Sequence, residues 1–277
     1  MNSDKTLPGT AVAFLLLSAI FLLIERLAGR GGSRPLPILR RGWLTDVIYL
    51  FATTLLTKPL VRLSLVIPLT LLVLVNVGSP AEFKAGAYRG FGPLSRQPVW
   101  LQAVQIYVLI DFCGYWTHRL FHRGSWWAFH AVHHSSEELD WLGSVRVHPV
   151  NEIVNKLAQV TPVLLLGYNP ALPLAAAPVL TLYAIFLHAN VNWDFGPLRC
   201  VLASPVFHRW HHSRDREAWD TNFAGLLPLW DILFGTYYMP RERFPEDFGI
   251  REPMPESYPA QLWEPFAALL RRQKKRP

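Results

Sequence analysis

The sequence predicts an all-α integral-membrane protein, a helical bundle of about four to five spans with a histidine-ligated pair of metal ions at one end. Three observations lead to this prediction. Hydrophobic residues make up 51% of the 277-residue chain and are gathered into long blocks, and Gly/Pro-containing turns separate those blocks. All ten histidines lie between His118 and His212. Long apolar blocks are a stronger membrane signal than average hydropathy.

The first apolar block runs roughly from Ala11 to Ile24 and is followed by Glu25 and Arg26. It shows no small-residue cleavage site, so we interpret it as a retained signal anchor. The connector that follows is rich in Gly and Pro and contains no acid, which places it in the cytoplasm by the positive-inside rule. Its arginines are Arg30, Arg34, Arg40 and Arg41.

A second apolar region, Trp43 to Val77, is interrupted by Lys58, Pro59 and Arg62. The part after the interruption, Val61 to Val77, is long enough to cross a bilayer at about 1.5 Å per residue. The part before it either lies in the membrane interface or forms a hairpin with the part after it. The sequence leaves both arrangements open.

A third span is predicted from Val99 to Thr117. The last apolar pair, Ile153–Leu166 and Ala171–Leu187, is broken by the turn signal Gly167-Tyr-Asn-Pro170, which predicts a helical hairpin. Counting crossings from the arginine connector puts the histidine-containing segments on the cytoplasmic side, and the basic tail Arg271–Arg276 agrees with this. The expected units are membrane anchor helices at 1–104, a catalytic domain at 105–240 and a cytosolic tail at 241–277.

The net charge of +7 comes from basic residues that lie beside the apolar blocks and not along a polar face. This placement suits the positive-inside rule better than nucleic-acid binding, so no nucleic-acid partner is predicted. The two cysteines, Cys113 and Cys200, form no CxxC pair. We therefore expect two packed thiols and neither a thiolate metal site nor a disulfide framework.

Eight histidines fall into one HxxxH and two HxxHH motifs, each just beyond an apolar span. On a helix, residues i, i+3 and i+4 lie on one face, so each motif projects its imidazoles together. Neutral imidazole suits Fe, Zn, Cu and Ni, and eight imidazoles are too many for one ion, so two metals are expected. No carboxylate recurs at ligand spacing, which argues against a Glu/ExxH type of di-iron bundle. The eight are His118, His122, His130, His133, His134, His208, His211 and His212.

These motifs resemble the histidine boxes of the fatty acid hydroxylase/sterol desaturase superfamily. The resemblance covers residues 105–240. It extends to the approach Asp111–Arg119, the segment His148-Pro-Val-Asn-Glu152, and the closing segments Asn222–Gly225 and Trp230–Tyr237.

The resemblance implies a bundle of membrane helices capped by a cytosolic helical domain that holds two metal ions, iron in the active enzyme. It also implies O2 as co-substrate and attack on an unactivated C–H bond of a lipid, fatty acyl or sterol-like. Hydroxylation and desaturation both remain open, and zinc found in a preparation would be a surrogate for iron.

Two further histidines are candidate ligands through the resemblance. Some members carry a fourth HxxxH, and here that place reads His188-Ala-Asn-Val-Asn192, with one histidine. We expect His188, at the end of the last span, to ligate directly. His148 precedes a proline, which biases it away from helix. It is therefore expected to reach the metals from a loop, as a tenth ligand or as a partner of one.

Three polar residues are candidate catalytic groups. Asp111 lies seven residues before His118, two turns along the same helical face, where it can accept a hydrogen bond from a ligand imidazole or face the interface as a charge. Asn222 and Asp231 either support the site in the same way or cap a turn and a helix.

O2 chemistry of this kind needs two external electrons. The chain has no GxGxxG fingerprint and no CxxCH motif, so a separate donor of ferredoxin or cytochrome b5 type with its reductase is expected. Two other classes of function remain. A membrane metal-binding or transport protein would carry its ligands inside the spans. A zinc hydrolase on the same scaffold would need a three-ligand open site and a general base.

Overall fold

The computed structural model describes residues 6–28, 35–75, 77–85 and 89–274 of the chain. These residues form helices and loops without a strand, and one isolated antiparallel bridge joins Ser213 and Phe248. The predicted all-α class is therefore confirmed. Arg30, Arg34 and residues 275–276 of the basic tail, all used for the predicted topology, lie outside the described residues.

Thirteen α-helices and three short 3₁₀ turns make up the described parts of the chain. The 3₁₀ turns are Trp141–Val145, Gly196–Cys200 and Arg216–Ala218. The helices are α1 (Thr6–Ala28), α2 (Trp43–Ala52), α3 (Lys58–Ser64), α4 (Val66–Leu74), α5 (Pro80–Ala85), α6 (Gly92–Ser95), α7 (Val99–Phe121), α8 (Trp127–His134), α9 (Pro149–Leu165), α10 (Ala171–Leu187), α11 (Pro205–His211), α12 (Leu229–Leu233) and α13 (Tyr258–Lys274).

The second apolar region is one continuous helical stretch from Trp43 to Leu74, so the hairpin considered from the sequence is wrong. A π-helical segment, Thr53–Thr57, joins α2 to α3 directly before Pro59. Proline lacks an amide hydrogen and its ring clashes with the preceding turn. In a π turn the backbone hydrogen bonds join residues five apart instead of four. This wider turn lets the helix continue through a proline that cannot donate a hydrogen bond.

Two helices of the described residues are long and apolar enough to cross a membrane, Leu7–Ala28 and Trp43–Leu74. Only 6% and 22% of their apolar windows are buried inside the protein. The core helix of a soluble protein would hide its apolar side chains, whereas here they face outward, which is the property of helices solvated by lipid. α9 and α10 have 17 residues each, about 25 Å, slightly less than the hydrocarbon core.

α7 lies at the centre of the bundle, because it packs along α9 and also against α10. α3 and α4 cover another side of α9. The turn between α9 and α10 falls at the predicted Gly167, whose φ is 81° and whose Cβ, if present, would lie 2.4 Å from the carbonyl oxygen of Phe91. Only glycine fits that backbone approach.

Five helix ends meet at one end of the bundle: the carboxyl ends of α1, α7 and α10 and the amino ends of α2 and α9. We call the elements that cover this end the cap, namely α8, the turn Trp141–Val145, α11 and α12. The segment 241–277, expected as a tail, contains α13, which packs against α8 and α2. There Phe266 meets Phe129 edge-on, with 5.4 Å between the ring centroids.

Candidate metal centre

Nine of the ten histidines form two buried groups, within each of which the ligand atoms lie within 4.8 Å of one another. Group A combines α7, α8 and α11, and group B combines α8, α11 and the end of α10. Group A is His118, His122, His130, His134 and His211. Group B is His133, His188, His208 and His212.

The two HxxHH motifs interleave between the groups. In α8 the first and last histidines, His130 and His134, belong to group A, and the middle one, His133, belongs to group B. In the α11 motif the middle histidine, His211, belongs to group A, whereas His208 and His212 belong to group B. Each of these helices therefore contributes to both groups, although the sequence predicted one shared face for each motif.

The rings of group A are oriented by acceptors on their Nδ1 atoms. His118 Nδ1 lies 2.7 Å from the carbonyl oxygen of Phe223, and His130 Nδ1 lies 2.7 Å from Asn151 Oδ1. Oxygens of these kinds only accept, so the proton is on Nδ1 and the Nε2 lone pair is free. Yet the two Nε2 atoms are 3.0 Å apart. Two facing lone pairs repel at this distance unless a cation lies between them.

Group B shows the same arrangement. His133 Nδ1 donates to the carbonyl oxygen of Arg146 at 3.1 Å, and His188 Nδ1 donates to that of Ala184 at 2.8 Å. Their Nε2 atoms are 3.2 Å apart, and His208 Nε2 is 3.1 Å from His188 Nε2. The donor set therefore fits a transition-metal ion in each group, since neutral imidazole with its other nitrogen hydrogen-bonded is the usual protein ligand.

Burial keeps the cap imidazoles neutral. Loss of solvation, with smaller contributions from neighbouring rings, holds the pKa of each well below its ordinary value, so the lone pairs needed for a metal are available at neutral pH. This applies to His130, His133, His134, His208, His211 and His212.

Residues 221–224 form a strap across group A. The carbonyl oxygen of Thr221 accepts from His211 Nδ1 at 2.7 Å, as that of Phe223 does from His118. Asp231 holds the strap by accepting from the amides of Phe223 and Ala224 at 2.8 and 2.9 Å.

Asn222 fixes the middle of the strap. Its Nδ2 donates to the carbonyl oxygens of Phe207 and Tyr238, its Oδ1 accepts from the Tyr238 amide, and its φ is 56°. The sequence predicted that Asn222 and Asp231 either support the site or cap a turn and a helix. The structure gives both residues a capping role on a segment that orients two imidazoles.

Asp111 differs from the expectation, because no imidazole donates to it. Its Oδ1 accepts from the amide of Leu226 at 2.8 Å, and its Oδ2 accepts from the amide of Leu227 and from Trp230 Nε1, both at 2.9 Å. Both oxygens are thus engaged in fixing the loop before α12 to α7.

His148 also differs from the expectation, because it lies outside both groups. As the residue that caps α9, it accepts from the amide of Val150 on Nδ1 at 3.1 Å, and its Nε2 faces the carbonyl oxygen of Leu262 at 3.2 Å. A nitrogen that accepts an amide and another that donates to a carbonyl leave no lone pair for a metal.

Three further residues that the sequence analysis did not predict support the two groups, either by contacting a ring directly or through another residue. Asn151 accepts from His130, as described above, and Asp220 Oδ1 lies 3.3 Å from His122 Nδ1. Asp46, in α2, bonds the guanidinium of Arg146, whose carbonyl orients His133. Two of these pairs join residues about one hundred positions apart and the third joins residues 21 apart, so none leaves a local pattern that sequence reading can detect.

Comparison with known proteins agrees with this geometry. The sequence profile of the fatty acid hydroxylase family matches residues 103–236. Ornithine lipid hydroxylase OlsE of Rhizobium tropici is 32% identical over 271 residues, which cover 96% of this chain and 78% of the relative. Alkylglycerol monooxygenase of Homo sapiens is 34% identical over 146 residues, 52% of this chain and 32% of the relative.

A very-long-chain aldehyde decarbonylase, GL1-6 of Oryza sativa subsp. indica, is 28% identical over 140 residues, 46% of this chain and 21% of the relative. No solved structure matches the fold. The match to OlsE extends over nearly the whole chain, and the profile spans the three histidine motifs. The chain therefore belongs to the fatty acid hydroxylase superfamily.

Proposed function

We propose that this protein is a multi-pass membrane oxidoreductase that hydroxylates a lipid with O2 at a pair of iron ions. One observation carries the proposal. In two adjacent groups of histidines, imidazole nitrogens with free lone pairs face one another at about hydrogen-bond distance. The named relatives, a lipid hydroxylase and an alkylglycerol monooxygenase, support hydroxylation over desaturation.

One ion would be held by group A and the other by group B, with nine imidazoles in total. The bound irons supply the redox chemistry of O2 that no side chain provides. The reaction balances as one C–H bond, O2, two electrons and two protons giving one C–OH bond and water. The electrons come from an external donor of ferredoxin or cytochrome b5 type with its reductase.

The chain's own residues position this chemistry and keep water from it. The carbonyl oxygens of Phe223, Thr221, Arg146 and Ala184 fix the ring orientations before any metal binds, so little rearrangement is needed on binding. The groups lie under the cap, where seven of the nine histidines are buried and His118 and His122 are half-buried. A dry, preorganised site protects reactive species from side reactions.

The five helix ends that meet at the cap support a membrane orientation. If α1, the α2–α4 stretch, α7, α9 and α10 cross in alternating directions, the ends that meet at the cap all fall on one side of the membrane. The arginine connector gives that side as the cytoplasm. We propose five crossings on this basis, with the cap as the cytosolic part of the catalytic domain, residues 105–240.

Neither rival class suits the site. A transporter would place its ligands along the spans, whereas these lie at helix ends under a cap. A zinc hydrolase needs an open three-ligand site beside a general base, whereas groups A and B hold five and four imidazoles.

The test compares lipids of cells with and without the gene by mass spectrometry. A +16 species that depends on the gene and on O2 is expected, and a −2 species would mean desaturation. Purified protein reloaded with iron should show turnover with an added donor, while the zinc-loaded form should be folded and inactive, because zinc is redox-inert. Turnover in the zinc form without reductant would contradict the proposal.

A further inference from the structure

α13 exposes a stripe of large apolar side chains, which is formed by Trp263, Phe266 and Leu270. Trp263 is 63% exposed. At about 100° per residue, the three side chains lie within an arc of about 60° around the helix. The opposite face of the helix is buried at Gln261 and Pro265. The stripe therefore points away from the protein core and is open to whatever surrounds the protein at this level.

Charged residues border the stripe on one side. Glu264 and Arg271 each follow a stripe residue by one position, so they lie about 100° further around the helix. Their side chains form an ion pair. From Arg271 the chain reads Arg-Arg-Gln-Lys-Lys-Arg276, with five basic residues and no acid. An apolar stripe with a tryptophan, a charged flank and a basic end is typical of helices that lie in the membrane interface.

The first contact of α13 sets its height along the membrane helices. Tyr258 meets Tyr49 of α2 edge-on, with 4.7 Å between the ring centroids. Tyr49 belongs to the 32-residue helical stretch that begins at Trp43. That stretch is about 48 Å long, so a hydrocarbon core of about 30 Å centred on it begins about 9 Å from either end. Tyr49, six residues after Trp43, lies at about this distance from the cap-side end.

A second contact places α13 at the same level of another helix. The carbonyl oxygen of Leu262 lies 3.2 Å from His148 Nε2, and the ring of Phe266 lies 5.9 Å from the ring of His148. His148 caps the amino end of α9, whose 17 residues, about 25 Å, are no longer than the hydrocarbon core. α13 thus lies across the cap-side ends of α2 and α9, at the boundary between hydrocarbon and head groups.

We propose that α13 is an interfacial helix, with its stripe immersed in the cytoplasmic leaflet and its basic end on the head groups of anionic phospholipids. The inference rests on the membrane crossings given with the proposed function, and it adds a lipid contact that those crossings do not require. The stripe continues the exposed apolar surface of α2, where Ile48 is exposed beside Tyr49. Lipid that surrounds α2 therefore reaches the stripe as well.

Hydroxyl-radical footprinting of the wild-type chain tests the stripe. Full-length protein is placed in nanodiscs of phosphatidylcholine and phosphatidylglycerol with one copy in each, and mass spectrometry measures the oxidation of individual tryptophans. Trp219, in the segment between α11 and α12, is 44% exposed and is the matched control. Exposure in the protein alone would make Trp263 react faster than Trp219. We expect Trp263 to react about fivefold more slowly, because the interface excludes water from a buried apolar face.

Trp100, in the first turn of α7, is 67% exposed and reports the crossings independently. Slow oxidation of Trp100 with fast oxidation of Trp263 would overturn the interfacial helix and leave the crossings standing. Fast oxidation of both would refute the crossings and this inference with them. Protection of Trp263 only in nanodiscs that hold two copies would make the stripe a contact between chains, which would also overturn the inference.

Brominated lipids test the basic end of the helix. Bromine quenches tryptophan fluorescence on contact, and the difference between the wild-type chain and Trp263→Phe isolates the signal of Trp263. At equal mole fraction, brominated phosphatidylglycerol should quench this signal about twice as strongly as brominated phosphatidylcholine, because basic residues near the surface concentrate anionic lipid.

Two triple variants with the same change in net charge locate the effect. The first is Lys274→Gln, Lys275→Gln and Arg276→Gln, and it should lose the excess quenching by phosphatidylglycerol. The second replaces exposed arginines outside α13 and should keep the excess; it is Arg216→Gln, Arg241→Gln and Arg251→Gln. Equal quenching by the two lipids in the wild-type chain, or an excess that survives in the first variant, would overturn the assignment to anionic lipid.

Discussion

Asp46 in α2 and Arg146, which directly follows the turn Trp141–Val145, form a buried ion pair, with 2.6 Å between Asp46 Oδ1 and Arg146 Nε. The other carboxylate oxygen of Asp46 bonds Arg40 at 2.7 Å, so one fully buried carboxylate joins two arginines. Because the carbonyl oxygen of Arg146 orients His133, the amino-terminal helices contribute to group B and are more than an anchor.

Asp46→Ala should weaken the metal site of group B and the fold together. It leaves the buried guanidinium of Arg146 without its ion-pair partner, whereas Arg40 keeps Asp140. The loss of one partner of a buried pair costs about 3–5 kcal/mol. Chemical unfolding and metal analysis measure the two effects. Glu256→Ala is the control, because its pair with Arg41 is exposed to solvent and should change neither property. Normal metal content in Asp46→Ala would show that Arg146 keeps its place unaided.

His133→Ala and His134→Ala should empty different metal sites although the residues are adjacent. His133 belongs to group B and His134 to group A, so each variant should retain the ion of the other group. Metal analysis should find about half of the wild-type content in each variant, and the spectra of the residual cobalt-substituted ions should differ. Turnover should be lost in both, since the proposed reaction uses both ions. Identical spectra from the two variants would contradict the interleaved assignment.

His148→Ala should lower stability and leave the metal content unchanged. The ring caps α9, and loss of an N-cap costs about 0.5–2 kcal/mol. His148→Asn is the matched variant, because asparagine also accepts from the first-turn amides and should restore most of the stability. Thermal unfolding and metal analysis measure both quantities. Loss of one metal in both variants would make His148 a ligand despite its position.

Asp231→Asn should lower the metal affinity of group A, because one of the two carboxylate acceptors that hold the strap becomes an amide donor. Loss of groups that orient ligands reduces metal affinity about 10- to 100-fold. Asp111→Asn is the control: Asp111 is also a buried carboxylate that binds backbone amides, but its loop carries no acceptor of an imidazole. Competition with a chromophoric chelator measures affinity. Equal losses in the two variants would mean that the strap does not act on the imidazoles.

The sequence was sufficient for the helical class and for eight of the nine histidines in the two groups, because the spacing of residues along helices is a local pattern. His188 was expected only through the family resemblance. The sequence did not predict that His130 and His134 belong to group A while His133 belongs to group B. Residues i+3 and i+4 diverge by about 100° around a helix, and which side meets which ion depends on the neighbouring helices. The continuous α2–α4 stretch was missed because a proline normally ends a helix, and a π turn that accommodates it has no signature in the sequence.

His148 shows the limit of reasoning from motifs. A histidine followed by proline near other histidines suggested a ligand, but the same dipeptide is a good start for a helix, with proline in its first turn. Asp111 shares this limit: its position on the face of His118 was predicted, whereas its partners, Leu226 and Leu227, lie more than one hundred residues away.

The interleaving of the histidines in α8 and α11 constrains how this centre can change in length. Insertion of a single residue between the first two histidines of either motif turns the two that follow by about 100°, and so moves ligands of both ions at once. Deletions act in the same way. Loops around the cap can lengthen or shorten without disturbing the rings, but α8 and α11 must keep their residue count. Length variation among related chains should therefore stop at the borders of these two helices.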